Sequence, residues 1–219
     1  LNEAYASALK LEMLAHPLSD SSYPVARLKA LKNALLPTAE ELEVNAADLV
    51  AGLKRIGNFE ISVAGYPETH PESPTLEADL DNLKAKIDAG ADRIITQFVF
   101  DSGVYMRFLE RVRAAGIWVP VMPGIVPIHN FKQVAGFAGR CGASIPSWLA
   151  RRFDGLDDDT QTTHLVAAAM AAEQVMDLVD QGIRQFHFYT LNRADLVYAI
   201  CHLLGLRPEP AAESKVVTA

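Results

Sequence analysis

The sequence predicts an α/β fold, a parallel sheet whose strands are joined by helical crossovers. Three observations carry that expectation. From about residue 45 onward a pattern recurs: a short β-rich run, a loop, an amphipathic stretch and a glycine. The run RIITQFVF at 93–100 is nearly continuous in apolar residues, as expected of a strand covered on both faces. The helical stretches stop at Gly57, Gly90, Gly116, Gly182 and Gly205, glycine being the residue that most readily closes a helix.

The elements follow in order. Asn45 can cap a first helix that carries Leu49, Val50, Leu53 and Ile56 on one face. In FEISVAGY, Phe59, Ile61 and Val63 alternate with Glu60 and Ser62, as in a strand. A helix opening at Ser73-Pro74 runs to Gly90, and RIITQFVF is the next strand. A helix over 101–115 precedes a strand in WVPVMPGIV (118–126), then a helix near 129–139, a Pro/Trp segment and the acidic loop FDGLDDD (153–159). A long helix over about 160–180 leads to a last strand, IRQFHFYT (183–190). Asn192 is expected to cap the final helix, and 206–219 to form a disordered tail.

A barrel and a doubly wound sheet both fit this alternation, and in either one ligands bind at the carboxyl ends of the strands. Only four strands are legible, whereas a closed eightfold barrel needs eight and usually about 250 residues. Residues 1–43 read as two helices, about 2–15 and 24–35, around HPLSDSSYP. Two explanations stand: joined fragments of a longer parent, or a divergent half-barrel. The first is preferred, because an open half leaves an apolar face uncovered.

Composition narrows the function classes. The chain has 219 residues, 50% hydrophobic and 21% charged, with net charge −7. An acidic balance argues against nucleic acid as a main partner, since neutralising phosphates takes an excess of Lys and Arg. Cys141 and Cys201 lack any metal-ligand spacing and read as free thiols in a reducing compartment. No 18-residue apolar span and no signal-peptide pattern is visible, so no membrane association and a cytoplasmic location are expected.

The stretch AGYPETHPES (64–73) follows a strand and is too polar and too broken for core. Tyr66 and His70 could flank a planar ligand on a loop stiffened by Pro67 and Pro71; a plain Pro-rich turn is the alternative. On the next helix, Leu76, Leu80, Leu83 and Ile87 form the expected apolar stripe at 100° per residue. Glu77, Asp81, Lys84 and Asp88 fall opposite, toward solvent. Asp79, Asn82 and Lys86 form a third set beside the apolar one, suited either to a ribose and phosphate or to a solvated flank. Gln97 lies mid-strand and needs hydrogen-bond partners if buried, from backbone or from a ligand. His187 and Tyr189 read as satisfied core groups, and Asp157–Asp159 as a helix cap in preference to a metal site. Arg193 suits an anion contact or a surface position.

Several long stretches together resemble the methylenetetrahydrofolate reductase family: AGYPETHPES, ADLDNLKAKIDAGADRIITQFVFD, MPGIVPIHNFKQ, IPSWLARRFDGLDDD and FHFYTLNRADLVYAICHLLGLRP. They cover about residues 44–208 in the order of that family's C-terminal half. The resemblance implies a (β/α)8 TIM barrel, of which about four β/α units are present here, 44–208 forming a flavin- and folate-binding half. It implies FAD as cofactor, NADH or NADPH as co-substrate, and reduction of 5,10-methylenetetrahydrofolate to 5-methyltetrahydrofolate by hydride transfer through the flavin. It places Tyr66, His70, Ser73, Asp79, Asn82 and Lys86 at FAD contacts, with Lys86 the cation for the diphosphate. Gln97 matches the glutamine that positions pterin and nicotinamide in turn. Gln133, Phe137 and Arg193 match substrate contacts. No metal is implied, and a homo-oligomer is expected.

The chain departs from the family pattern in places. Ala85 stands where many relatives have a basic residue before the phosphate lysine. The family's acid glutamate and its flavin-side aspartate find no counterpart, and LKNALLP (31–37) lacks the Asp of an L-R-G-D-like segment. Two alternatives therefore remain: a divergent member with another electron donor or running methyltetrahydrofolate oxidation, and a non-catalytic flavin- or folate-binding homologue.

Overall fold

The computed structural model describes residues 45–191 and 193–206. The expectations for residues 1–43, for Asn192 as a cap and for the tail beyond 206 lie outside them. The described residues form, in order, α1 (Ala46–Ile56), β1 (Ser62–Gly65), α2 (Leu76–Asp88), β2 (Arg93–Phe98), α3 (Ser102–Ala114) and β3 (Val121–Ile125). There follow α4 (Phe131–Arg140), α5 (Ser147–Arg152), α6 (Thr160–Asp180), β4 (His187–Phe188) and α7 (Ala194–Leu203). The strand order is β1-β2-β3-β4. β1 pairs in parallel with β2 from Ser62↔Arg93 to Gly65↔Thr96, and β3 with β4 at Gly124↔His187 and Ile125↔Phe188. The expected α/β class with parallel pairing is present, with four strands among the described residues.

Two compact units divide the chain. The first comprises residues 45–97 and 103–123 of the described chain. Its core gathers Val50, Leu53, Ile61, Val63, Leu83, Ile94, Phe108, Val112 and Ile117. Asn45 caps α1 as expected, its side chain accepting from the Ala47 and Asp48 N–H groups. Tyr105 is fully buried and its hydroxyl donates to the Val121 carbonyl at 2.8 Å. Burial pushes that phenol up to about 12, against a smaller opposing pull from the Arg113 charge.

The second unit comprises 98–102 and the described residues from 124 onward. Ile125, Val134, Ala138 and Leu149 are buried there, with Ala167, Ala171, Val175 and Leu178 of α6 and Leu196 and Ile200 of α7. The small alanines on α6 let its neighbours approach closely, and α6 packs on α7. Asp159 is the α6 cap, accepting from the Thr162 N–H at 2.9 Å, which bears out the capping reading of the acidic loop.

Strands β1 and β2 are shorter than expected, Ser62–Gly65 and Arg93–Phe98, and four further boundaries differ, each for a local reason. Helix α2 begins after Thr75, not at Ser73-Pro74, because the Thr75 hydroxyl takes the Ala78 N–H. Strand β3 begins at Val121, since the Arg113 guanidinium occupies the Ile117 and Val119 carbonyls just before it. The expected strand 183–190 pairs only at 187–188. Its leading residues are tied to the end of α6, through Ile183 N–H to Leu178 and through Arg184 to the Val179 and Ile183 carbonyls. Arg193, with no side-chain cap bond, holds the position before α7 that had been expected of Asn192.

Candidate functional site

The loop AGYPETHPES joins the carboxyl end of β1 to α2 and lies within the first unit. Its path is set by polar backbone contacts, because two prolines supply no N–H. The Thr69 N–H donates to the Tyr66 carbonyl and the Ser73 N–H to the His70 carbonyl. Thr69 has φ of 89°, a conformation an L side chain rarely adopts. The rings of Tyr66 and His70 meet edge to face, 4.5 Å between centroids. The His70 Nδ1 accepts the Glu72 N–H at 3.1 Å, which leaves Nε2 as the ring's outward donor in the neutral form.

Helix α2 buries a face other than the one its leucines define. Its buried residues are Asp79, Leu83 and Lys86, whereas Leu76, Leu80 and Ile87 are half-buried. The four charges expected in solvent, Glu77, Asp81, Lys84 and Asp88, are exposed, and Lys84 pairs with Asp88 at 3.0 Å. Asp79 is 9% and Lys86 7% exposed. Such charges stay inside only when paired or hydrogen-bonded. The Lys86 Nζ donates to the Ala64 carbonyl at 2.9 Å, and the Asp79 Oδ2 accepts the His70 N–H at 3.1 Å. Desolvation lowers the Lys86 pKa, and the nearby Asp79 charge pulls partly the other way.

These groups line one hollow, with Ala64, Gly65, Tyr66, Leu83, Phe108 and Arg111 around them. It is open to solvent, and its enclosed space of about 10 Å³ is room for one water. An ammonium has three N–H donors; among the described residues the Lys86 ammonium uses one, at Ala64. A buried cation with donors to spare, beside a carboxylate, fits an anionic sugar-phosphate.

The sequence-derived candidates separate in the structure. Tyr66, His70, Asp79 and Lys86 come together. Asn82 is exposed and does not line the hollow. Ser73 is half-buried and its hydroxyl donates to the Thr75 carbonyl at 3.2 Å. Gln97 is half-buried near the end of β2. In the second unit, Phe137 stacks on Phe98 at 5.5 Å with the Arg140 guanidinium 5.9 Å from its ring. Gln133 sits exposed in the first turn of α4, its side chain 3.3 Å from the His129 ring. Arg193 is exposed before α7. His187 and Tyr189 touch each other at 4.7 Å, but both are half-buried and not part of the core expected of them.

Arg111 was not found from the sequence. Its guanidinium donates to the Pro67 carbonyl at 2.8 Å from α3. The only available signal was its place three residues after the buried Phe108 and next to the buried Val112, which sets it at the edge of an apolar face.

Comparison with known proteins agrees with the motif resemblance. The methylenetetrahydrofolate reductase family model matches residues 30–205. The chain is 52% identical over 184 residues to the 5,10-methylenetetrahydrofolate reductase of Escherichia coli (strain K12), covering 84% of this chain and 62% of that protein. It is 48% identical over 206 residues to the protein of the same name from Pectobacterium carotovorum subsp. carotovorum, covering 94% and 68%. The chain thus spans about two thirds of the length of these relatives, and less than that of the first. A solved Clostridium thermocellum protein, described as binding two copies of 5-methyl-5,6,7,8-tetrahydrofolic acid, superposes at TM-score 0.48. It is 17% identical, covering 71% of this chain and 56% of its own. No helix among the described residues is long and apolar enough to cross a membrane.

Proposed function

This chain belongs to the methylenetetrahydrofolate reductase family, and from that premise we propose that it reduces 5,10-methylenetetrahydrofolate to 5-methyltetrahydrofolate with NADH or NADPH, using FAD. The observation that carries the reading is the buried Lys86 ammonium beside Asp79, with donors to spare in a hollow at the carboxyl end of β1.

FAD, when bound, supplies the relay that accepts a hydride from the nicotinamide and passes it to the folate. The chain's own residues position and neutralise. Lys86 offers its free N–H groups to a diphosphate oxygen, a charge-assisted contact stronger than a neutral one. Asp79 keeps Oδ2 on the His70 N–H and presents Oδ1 to a sugar hydroxyl. The His70 Nε2–H and the Tyr66 ring offer a donor and an apolar face from one loop. Gln97, a neutral amide, orients pterin or nicotinamide without adding charge. Gln133, Phe137 and Arg193 are the substrate-side contacts carried over from the family pattern, and Asn82 and Ser73 complete its cofactor set.

The test is turnover. The FAD-loaded protein is mixed with 5,10-methylenetetrahydrofolate and each nicotinamide in turn, and 5-methyltetrahydrofolate is quantified. Formation with NADH or NADPH supports the reductase. A flavin reduced by 5-methyltetrahydrofolate and by neither nicotinamide would instead establish the divergent donor. Tight FAD binding with no reduction by any of the three would leave a binding homologue.

A further inference from the structure

We propose that Arg111 is a positioning residue: from α3 it clamps the loop that carries Tyr66 and His70 and so sets the loop's grip on a nucleotide. The clamp stands on geometry alone, and its effect on FAD rests on the functional reading above.

Three charged side chains hold this loop by its backbone, at every third residue. Lys86 takes the Ala64 carbonyl, Arg111 the Pro67 carbonyl and Asp79 the His70 N–H. Two of the three come from α2, the helix that the loop itself leads into. Arg111 comes from α3, beyond β2 in the chain, and anchors the loop to a second element. Pro67 is buried, so its carbonyl needs a partner. The left-handed Thr69 shows a loop whose local preferences do not hold its shape, so the surrounding contacts must.

The arrangement is fixed at both ends. The guanidinium lies 6.0 Å from the Phe108 ring, and Phe108 is 4% exposed in the unit's core. Among the described residues Arg111 uses a single N–H, on Pro67, out of the five a guanidinium carries. It also lines the same hollow as Lys86. A loop released at Pro67 would free the Tyr66–His70 pair, because that carbonyl lies between the two rings in sequence.

The experiment compares Arg111→Met, which keeps an unbranched stem and loses the donors, with Arg111→Lys, which keeps the charge and N–H donors on an ammonium. Amide hydrogen exchange over residues 64–73 of the FAD-free protein reads the clamp, and FAD titration reads its consequence. In Arg111→Met, exchange at Thr69, His70 and Ser73 should rise about tenfold or more and FAD affinity should fall about tenfold, the lower end for a charge-assisted bond. The melting temperature should stay close to the wild type, and Arg111→Lys should recover most of both changes. Unchanged loop exchange in both variants overturns the clamp. Raised exchange with unchanged FAD affinity overturns its role in the site. A wild-type protein that binds no FAD would sink the functional reading, and loop exchange alone would still decide the clamp. If Arg111→Met does not fold, Arg111→Gln, which is neutral and too short to reach the Pro67 carbonyl from the same backbone position, carries the same two readouts.

Discussion

Lys86 and Ala64 are joined by an ammonium-to-carbonyl hydrogen bond of 2.9 Å, in a place where Lys86 is 7% exposed. A cation on α2 is thus held against the end of β1, with Asp79 near it and two N–H groups uncommitted.

Lys86→Met removes that cation and keeps its stem. FAD affinity should fall by about 1–3 kcal/mol, the scale of a charge-assisted hydrogen bond. Fluorescence titration checks it. Unchanged affinity would mean that Lys86 serves the Ala64 carbonyl and nothing else.

Gln97→Ala should behave in the opposite way. The protein should retain FAD, while transfer of reducing equivalents slows by about tenfold to hundredfold, the range expected when a reacting ring is misplaced. Single-turnover reduction of the bound flavin reads this directly. Wild-type rates would remove Gln97 from its proposed role.

Gly65 sits where a side chain has no room. A Cβ there would stand 2.8 Å from Ile94 Cγ2 and 3.0 Å from Phe108 Cζ, both buried. Gly65→Ala should destabilise the protein by about 1–3 kcal/mol through overpacking. Denaturant unfolding measures it, and a stability equal to wild type would show that β1 shifts freely.

Asp92 supplies a pH dependence. Its Oδ2 accepts from Lys54 Nζ and from the Ile61 N–H, each at 2.7 Å. Partial burial works against the charge, yet the Lys54 hydrogen bond, the Ile61 N–H and the Lys54 charge together hold the carboxyl below its ordinary range. A carboxylate with a lowered folded pKa stabilises the fold above its unfolded value of about 3.9 and loses that contribution as pH falls through the folded value. Wild-type stability should therefore drop more steeply than that of Asp92→Asn as the pH is taken below about 4. The side chain is 40% exposed, so screening keeps the difference small. Superimposable acid-unfolding curves would contradict it.

Much of this was legible in the residues. Asn45 and Asp159 announced two caps, and the alternation through Ile61 and Val63 announced β1. Helix α2 was legible as an element and misleading as a surface. Counting leucines placed the buried stripe at Leu76, Leu80, Leu83 and Ile87, and the fold turned it toward Asp79 and Lys86. Periodicity ranks side chains by hydropathy, and it cannot see that a Pro-rich loop will cover a charged flank and supply backbone partners for it. The same blindness hid Arg111, whose partner is a carbonyl 44 residues away. Strand β4 was overread for a related reason: IRQFHFYT has the composition of a strand, but pairing is decided by the neighbour, and its first residues bond to the end of α6.

The most direct measurement follows the flavin spectrum of the purified protein after reconstitution with FAD, before and after anaerobic addition of NADH or NADPH. The account predicts a yellow protein whose colour is bleached by a nicotinamide and restored by 5,10-methylenetetrahydrofolate. A protein that stays colourless, and whose melting temperature FAD does not raise, would contradict it.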